Sequence, residues 1–219
     1  MRASLPPLKK TRLPWFDEEV QVEIEREITV EYSVTNVQYD SFVHTTQRRY
    51  VFLLPQEREI PASQIILMTD GLPFITTSTN GNISERLPTS WLVDPTIIVE
   101  DRIMKREKGK EEVTVEDTPY PDKILETRVR EDIISRKITL KNELGKDARL
   151  TVRIIESADV QMMSAEPIST KTDKPRYEWD VTLGKDAEES IQCRYQIRIE
   201  KTRQMDKPKP EEKKSRTKS

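Results

Sequence analysis

Between Val20 and Val34 the chain alternates with a period of two. The even positions read Val20, Val22, Ile24, Arg26, Ile28, Val30, Tyr32 and Val34, while Glu23, Glu25, Glu27 and Glu31 stand among the odd ones. Successive side chains of an extended strand point to opposite faces, so the apolar row lies on one face and the glutamates on the other. A long strand with one dry and one wet face belongs to an antiparallel sheet covered on one side. Arg26 interrupts the apolar row, which predicts a bulge or a passage of the strand from one sheet to another.

The same periodicity returns in the C-terminal half. Leu150, Val152 and Ile154 alternate with Thr151 and Arg153; Trp179, Val181 and Leu183 with Asp180 and Thr182; Ile191, Cys193, Tyr195, Ile197 and Ile199 with Gln192, Arg194, Gln196 and Arg198. The turn-forming stretches 142–147 and 184–186 predict two hairpins, one after Ile138 and Leu140, the other after Leu183. The tetrapeptide Gly-Lys-Asp-Ala stands at both, 145–148 and 184–187. Shared turn chemistry accounts for it better than a true repeat.

Between these regions, Tyr50–Leu54, Gln64–Met68, Leu72–Thr77, Trp91–Val93 and Thr96–Val99 read as short strands. They are punctuated by Pro55, Asp70-Gly71, Asn80-Gly81-Asn82 and Asp94-Pro95. Short strands with turn chemistry between them predict an all-β fold of the sandwich or barrel type. Residues 36–48 read as a polar connection, and 123–137 mixes helical and strand spacing, with strand favoured from Ile133. Charges crowd residues 100–123, which marks a boundary. The expected organisation is an extended basic arm (1–14), a β-sandwich domain (15–105), a charged linker or long loop (106–122), a second β-sandwich domain (123–202) and a disordered basic tail (203–219). The two domains are expected to be tandem, antiparallel and immunoglobulin-like.

Residues 135–200 also resemble an uncharacterised family of microbial β-sandwich domains that includes mucoidy-inhibitor-like proteins. The resemblance rests on Lys137-Ile138-Thr139-Leu140-Lys141-Asn142, on Thr151-Val152-Arg153-Ile154, on Met162-Met163-Ser164, and on Trp179-Asp180-Val181-Thr182-Leu183-Gly184 leading to Tyr195-Gln196-Ile197. It implies that the tryptophan and tyrosine strands are core strands of one sandwich. That family has no settled activity, so the resemblance implies a fold and no reaction.

Scarce residues bear on function. With one cysteine, Cys193, and one histidine, His44, neither an intrachain disulfide nor an all-Cys/His zinc site can form. The five glycines are well separated, whereas phosphate-cradling loops and nucleophile elbows need them close together. Cys193 shares the parity of Ile191 and Tyr195 and is expected in the core, and His44 in a solvated loop. Asp70, Asp94 and Asp101 fall at strand ends, where paired carboxylates could act on glycosides or hold magnesium. Trp15, Phe16 and Trp91 could stack on sugar rings, although core packing is the plainer use of them. Asn82-Ile83-Ser84 matches a glycosylation sequon by chance.

Charged residues make up 35% of the chain, yet 37 Lys and Arg nearly balance 39 Asp and Glu. Long-range steering toward a polyanion is therefore weak, and any electrostatic partner has to be met locally. The basic ends could touch nucleic acid or another polyanion through Lys9, Lys10, Arg12, Lys207, Lys209, Lys213, Lys214, Arg216 and Lys218. Neither a membrane-spanning run nor an export signal is apparent, which points to a soluble, cytoplasmic protein. The expectation is a non-catalytic structural or protein-interaction module, without cofactor, that binds another protein or itself. A carbohydrate-binding or carbohydrate-acting protein is the first alternative, and a nucleic-acid-associated accessory protein the second.

Overall fold

The computed structural model describes residues 20–69 and 72–207. The arm expected over 1–14, Trp15, Phe16, the Asp70-Gly71 turn and the basic residues Lys209, Lys213, Lys214, Arg216 and Lys218 lie outside these residues. What is described is all-β, apart from a single 3-10 turn at Asn36–Gln38. The strands are β1 (Gln21–Tyr32), β2 (Ser41–Ile60), β3 (Ser63–Thr69), β4 (Leu72–Thr79), β5 (Asn82–Pro88), β6 (Leu92–Glu107), β7 (Glu111–Asp117), β8 (Lys123–Asn142), β9 (Ala148–Glu156), β10 (Val160–Glu166), β11 (Lys171–Asp173), β12 (Arg176–Leu183) and β13 (Glu188–Asp206).

The described residues form two compact units that are discontinuous in sequence: 20–25 with 48–92, and 26–47 with 93–207. This differs from a boundary at 106–122. The long strands β1 and β2 each contribute to both units, and alternation along a strand carries no mark of where its neighbours change. The expected linker instead contains β7, paired with β8 from Glu111↔Arg130 to Asp117↔Ile124. Every residue of β7 is exposed, so its composition resembles that of a loop. At the other end β13 continues to Asp206, past the expected start of the tail at 203.

In the larger unit the strands neighbour one another in the order β10-β13-β8-β6-β2-β1-β9-β12-β11, with β7 also beside β8. β1 and β9 run parallel from Glu27↔Thr151 to Tyr32↔Glu156, whereas β8 is antiparallel to β6, β7 and β13, β13 to β10, and β12 to β9 and β11. The sheet is therefore mixed rather than wholly antiparallel, because the alternating pattern reports which face is covered and says nothing of a neighbour's direction. The core takes the alternating apolar positions: Ile28, Val30 and Tyr32 of β1, Leu150, Val152 and Ile154 of β9, Trp179 and Leu183 of β12, and Ile191, Cys193, Tyr195 and Ile197 of β13 are all buried. Burying each large side chain of this kind contributes about 1.5–3 kcal/mol. The Trp179 indole N–H, which would otherwise be stranded, donates to the Pro167 carbonyl at 2.9 Å.

Neither C-terminal hairpin forms. β8 pairs with β6, β7 and β13, whereas β9 pairs with β1 and β12. The two Gly-Lys-Asp-Ala segments are therefore arches that carry the chain from the β8–β13 pair to the β9–β12 pair and back. The buried side chain of Asn142 ties them together. Its carboxamide donates to the Lys146 and Gly184 carbonyls, both at 2.8 Å, and accepts from the Leu144 N–H at 3.0 Å. The Lys185 N–H in turn donates to Asp147 Oδ1 at 3.0 Å. Asn142→Ala strands these buried groups at once and is expected to cost about 2–3 kcal/mol, read as a lower denaturant midpoint at unchanged slope.

In the smaller unit β5 lies against the later part of β2, and β3 and β4 form a hairpin of their own. Leu54, Ile60 and Leu87 make its small core, with Phe52 packed against them. Gly81 turns the chain into β5 at φ 71°, where a Cβ would stand 2.6 Å from the Ala62 nitrogen. Both the dihedral and the space require glycine there.

Candidate interaction surface

Asp94 and Asp101, expected at strand ends, both lie within β6 and are held by structural partners, while Asp70 lies outside the described residues. Asp94 and Arg26 are both buried, and Arg26 Nε donates to Asp94 Oδ2 at 2.8 Å. The Thr96 hydroxyl and N–H bond the other oxygen at 2.6 and 3.1 Å. Burial alone would raise the Asp94 carboxyl, and the hydrogen bonds from Thr96 and Arg26 outweigh it, so the group sits below the ordinary carboxylate range. Arg26, the break in the apolar row of β1, is thus the counter-ion of a buried carboxylate. Sequence offers one signal for this, a charge at the core parity of β1.

Asp101 lies deeper. Neither its side chain nor that of Arg136 has any solvent exposure, and Arg136 Nε donates to Asp101 Oδ1 at 2.8 Å. The Tyr32 hydroxyl donates to Oδ2 at 2.6 Å, with His44 Nε2 3.3 Å from the same oxygen. Arg136 Nη1 donates to the Val37 and Tyr39 carbonyls at 2.7 and 2.8 Å. Its guanidinium carbon lies 5.6 Å from the Tyr32 ring centroid and 5.0 Å from that of Phe42. The negative ring faces support the part of the cation that has no acceptor. His44 is thus half-buried in β2, whereas a polar loop was expected over 36–48. His44 and Thr46 occupy core-side positions of this strand, and their polarity conceals the alternation.

Cys193 is buried in β13, and its thiol is pushed up to about 12, chiefly by burial. That leaves it protonated and unsuited to nucleophilic attack at neutral pH. Trp91 of the smaller unit has Arg49 over one ring face at 4.4 Å, so one of the two faces a sugar could use is occupied. Among the described residues no group of three or more His, Cys, Asp or Glu side chains could hold a metal ion. Asp94 and Asp101 each serve their own partners.

A ribbon of three strands extends beyond the core: β7, exposed throughout, the first part of β8 (123–130), where Lys123 is exposed and Glu126 buried, and the last part of β13 (199–206), mostly exposed. Along the core-facing parity, β8 reads Leu140, Ile138, Arg136, Ile134, Asp132 and then Arg130, Arg128, Glu126. The corresponding row of β13 reads Ile191, Cys193, Tyr195, Ile197, Ile199 and then Lys201, Arg203. The apolar row gives way to charge where the ribbon begins. On this face Glu126 accepts from Arg128 Nε at 2.6 Å and from Arg203 Nε at 2.9 Å, and Arg128 Nη1 reaches Glu111 at 3.2 Å. The opposite face sets Thr114 across from Thr127 and Thr127 across from Thr202, with the last two hydroxyls 3.3 Å apart. On that face Glu112 and Glu116 make no ion pair among the described residues.

Gly109 lets β7 follow β6 along the same side of β8. A Cβ there would stand 1.9 Å from the Glu131 carbonyl oxygen, so the close approach of the two backbones admits only glycine. The Gly109 N–H donates to Asp132 Oδ1 at 3.0 Å, and the same carboxylate holds Arg130 through both its oxygens at 2.7 and 2.8 Å.

Both edges of the ribbon are open among the described residues. β7 pairs only with β8, and β13 pairs with β10 only from Gln192 to Ile197. Of the expected polyanion contacts Lys207 alone is described, and it pairs with Asp117 at 2.7 Å at one end of the ribbon. Sequence reasoning missed the ribbon because its charge and exposure match those of a linker and a tail. No protein-family model matches the chain, and neither does any curated protein or solved structure, so its function is read from this geometry alone.

Proposed function

We propose that the protein is a non-catalytic structural or protein-interaction module built on immunoglobulin-like β-sandwich layers, with the β7–β8–β13 ribbon as its docking element. The sandwich reading is supported by the two arches, which join pairs of strands without hairpins, and by the Tyr32 and Tyr195 rings, which meet edge to face at 4.9 Å. The resemblance of residues 135–200 to a microbial sandwich family points the same way.

One observation carries the docking role. The ribbon is a sheet open at both edges whose strand β7 is exposed along its whole length, with Val113 and Val115 more than half exposed. Fixing each strand residue costs about 1–2 kcal/mol of backbone entropy, and a sheet without a covered apolar face recovers little of that by itself. Strand addition or surface docking would supply the missing burial. A native pull-down with the full chain should recover a defined protein partner, and Val113→Asp with Val115→Asp should release it while leaving the circular dichroism spectrum unchanged. A partner retained by this variant moves the docking site away from the ribbon. Failure to recover any partner, together with a monomeric mass at high concentration, removes the interaction reading itself.

A further inference from the structure

We propose that the outer edge of β3 pairs with the same edge of a second copy of this chain and closes a symmetric dimer. In the smaller unit β3 and β4 form a sheet of two strands by themselves, and a two-stranded ribbon is marginal alone. Its side chains Ile66, Met68, Leu72 and Phe74 are all more than half exposed. Natural sheets blunt an open edge with charge or proline. From Ser63 to Thr69 β3 carries neither, in a chain of which 35% is charged.

The two edges of this hairpin are unequal. Along β4 the backbone is taken up by Ser90, whose N–H donates to the Ser78 carbonyl at 2.7 Å while the two serine hydroxyls lie 2.8 Å apart. Pro73, nearer the tip, has no N–H to offer. β3, in contrast, pairs with β4 alone among the described residues. In an antiparallel ladder the N–H and C=O of one residue point to the same side, and successive residues alternate. Ser78 turns its carbonyl toward Ser90 and away from β3, so the facing pairs Gln64↔Ser78 and Ile66↔Thr76 exchange no ladder bonds. The N–H and C=O of Gln64 and Ile66 therefore point to the open edge.

The absence of charge is what lets this edge face itself. A half turn about the sheet normal brings β3 of one copy against β3 of another, antiparallel and with faces matched, so residues of like parity oppose each other. Centred on Ile66, the register sets Ile66 against Ile66 as a pair that exchanges both N–H···O bonds, Ile65 against Leu67, and Gln64 against Met68. No charge meets its like. Centred on Thr114, the same operation at β7 would oppose Glu112 to Glu116 and Glu111 to Asp117, which is destabilising. The β3 contact uses one patch on both partners, so it is isologous and closes at two chains.

Sedimentation velocity on the full chain tests this. The unaltered protein is expected to pass from one chain to two as its concentration rises, and to do so equally at high salt because the contact holds no charge. Ile66→Lys and Ile66→Glu each set like charges across the twofold axis, and each alone is expected to stay monomeric. Their equimolar mixture should regain the dimer, since opposite charges then face each other, and a regained dimer excludes misfolding of either variant. Val113→Asp with Val115→Asp lies in the ribbon and should leave the dimer unchanged, so the self-pairing and the docking role of the ribbon fail separately. A monomer at every concentration overturns the proposal, as does a dimer that survives Ile66→Lys or a mixture that stays monomeric. Growth beyond two chains, or a dimer dissolved by salt or by the two valine substitutions, overturns it as well.

Discussion

Replacing Arg136 with methionine is expected to destabilise the protein by about 3–5 kcal/mol, the range for removing one partner of a buried ion pair. Asp101 would be left without its main counter-charge at a site sealed from water, and the Val37 and Tyr39 carbonyls would lose their donor. Equilibrium denaturation of the single variants and of Arg136→Met with Asp101→Leu measures the coupling. The double variant should recover part of the loss because it removes the buried charge. Recovery stays incomplete, since the Tyr32 hydroxyl and the two carbonyls remain unpaired. A loss below about 1 kcal/mol for Arg136→Met would mean that water reaches the pair.

The same cluster sets an acid sensitivity. Burial alone would raise the Asp101 carboxyl, yet hydrogen bonds from His44, Arg136 and Tyr32 hold it below its ordinary value. A carboxyl whose folded value is depressed contributes stability that is fully present above its unfolded value, near 3.9, and is lost as the pH falls through the folded one. Asp101→Asn should therefore flatten the acid limb of the stability curve below about pH 4.

Gly109→Ala is expected to lift β7 off β8 while leaving the core intact. The new Cβ meets a backbone oxygen at 1.9 Å, and a backbone, unlike a flexible side chain, cannot swing aside. The strain of such overpacking is about 1–3 kcal/mol, which the ribbon relieves by releasing its outermost strand. Amide hydrogen exchange should quicken selectively across Glu111–Asp117, about tenfold for each 1.4 kcal/mol, with Ile191–Ile197 unaffected. Gly184→Ala is the control: a Cβ there meets Ala187 at an ordinary 3.6 Å, and exchange should not change. Uniformly faster exchange after Gly109→Ala would instead show that the whole fold depends on this contact.

Alternation made the core strands legible. Ile28, Val30, Tyr32, Trp179, Leu183, Ile191, Tyr195 and Ile197 all stand where their parity puts them. The polar residues at core parity were harder to read, since each makes sense only beside a partner far along the chain. Arg26 needs Asp94, and Arg136 needs Asp101; the pairs are 68 and 35 residues apart. His44 and Thr46 concealed the start of β2 for the same reason. The ribbon was misread in the opposite sense, as linker and tail, because a strand solvated on both faces has no apolar row to announce it.

The amino-acid sequence by itself determined that the described residues are all-β and which apolar rows of the core strands are buried, because pleating ties side-chain direction to position parity. It also ruled out zinc sites of cysteine and histidine and glycine-rich phosphate loops, by arithmetic alone. Which strands are neighbours was decided only by the tertiary structure. Parity is the same whether a turn closes a hairpin or arches between pairs, and whether a neighbour runs parallel or antiparallel. Long-range packing, including the Asn142 clasp of two identical turn sequences and the backbone contact at Gly109, selects among arrangements that local pattern leaves equal, and so places the open ribbon.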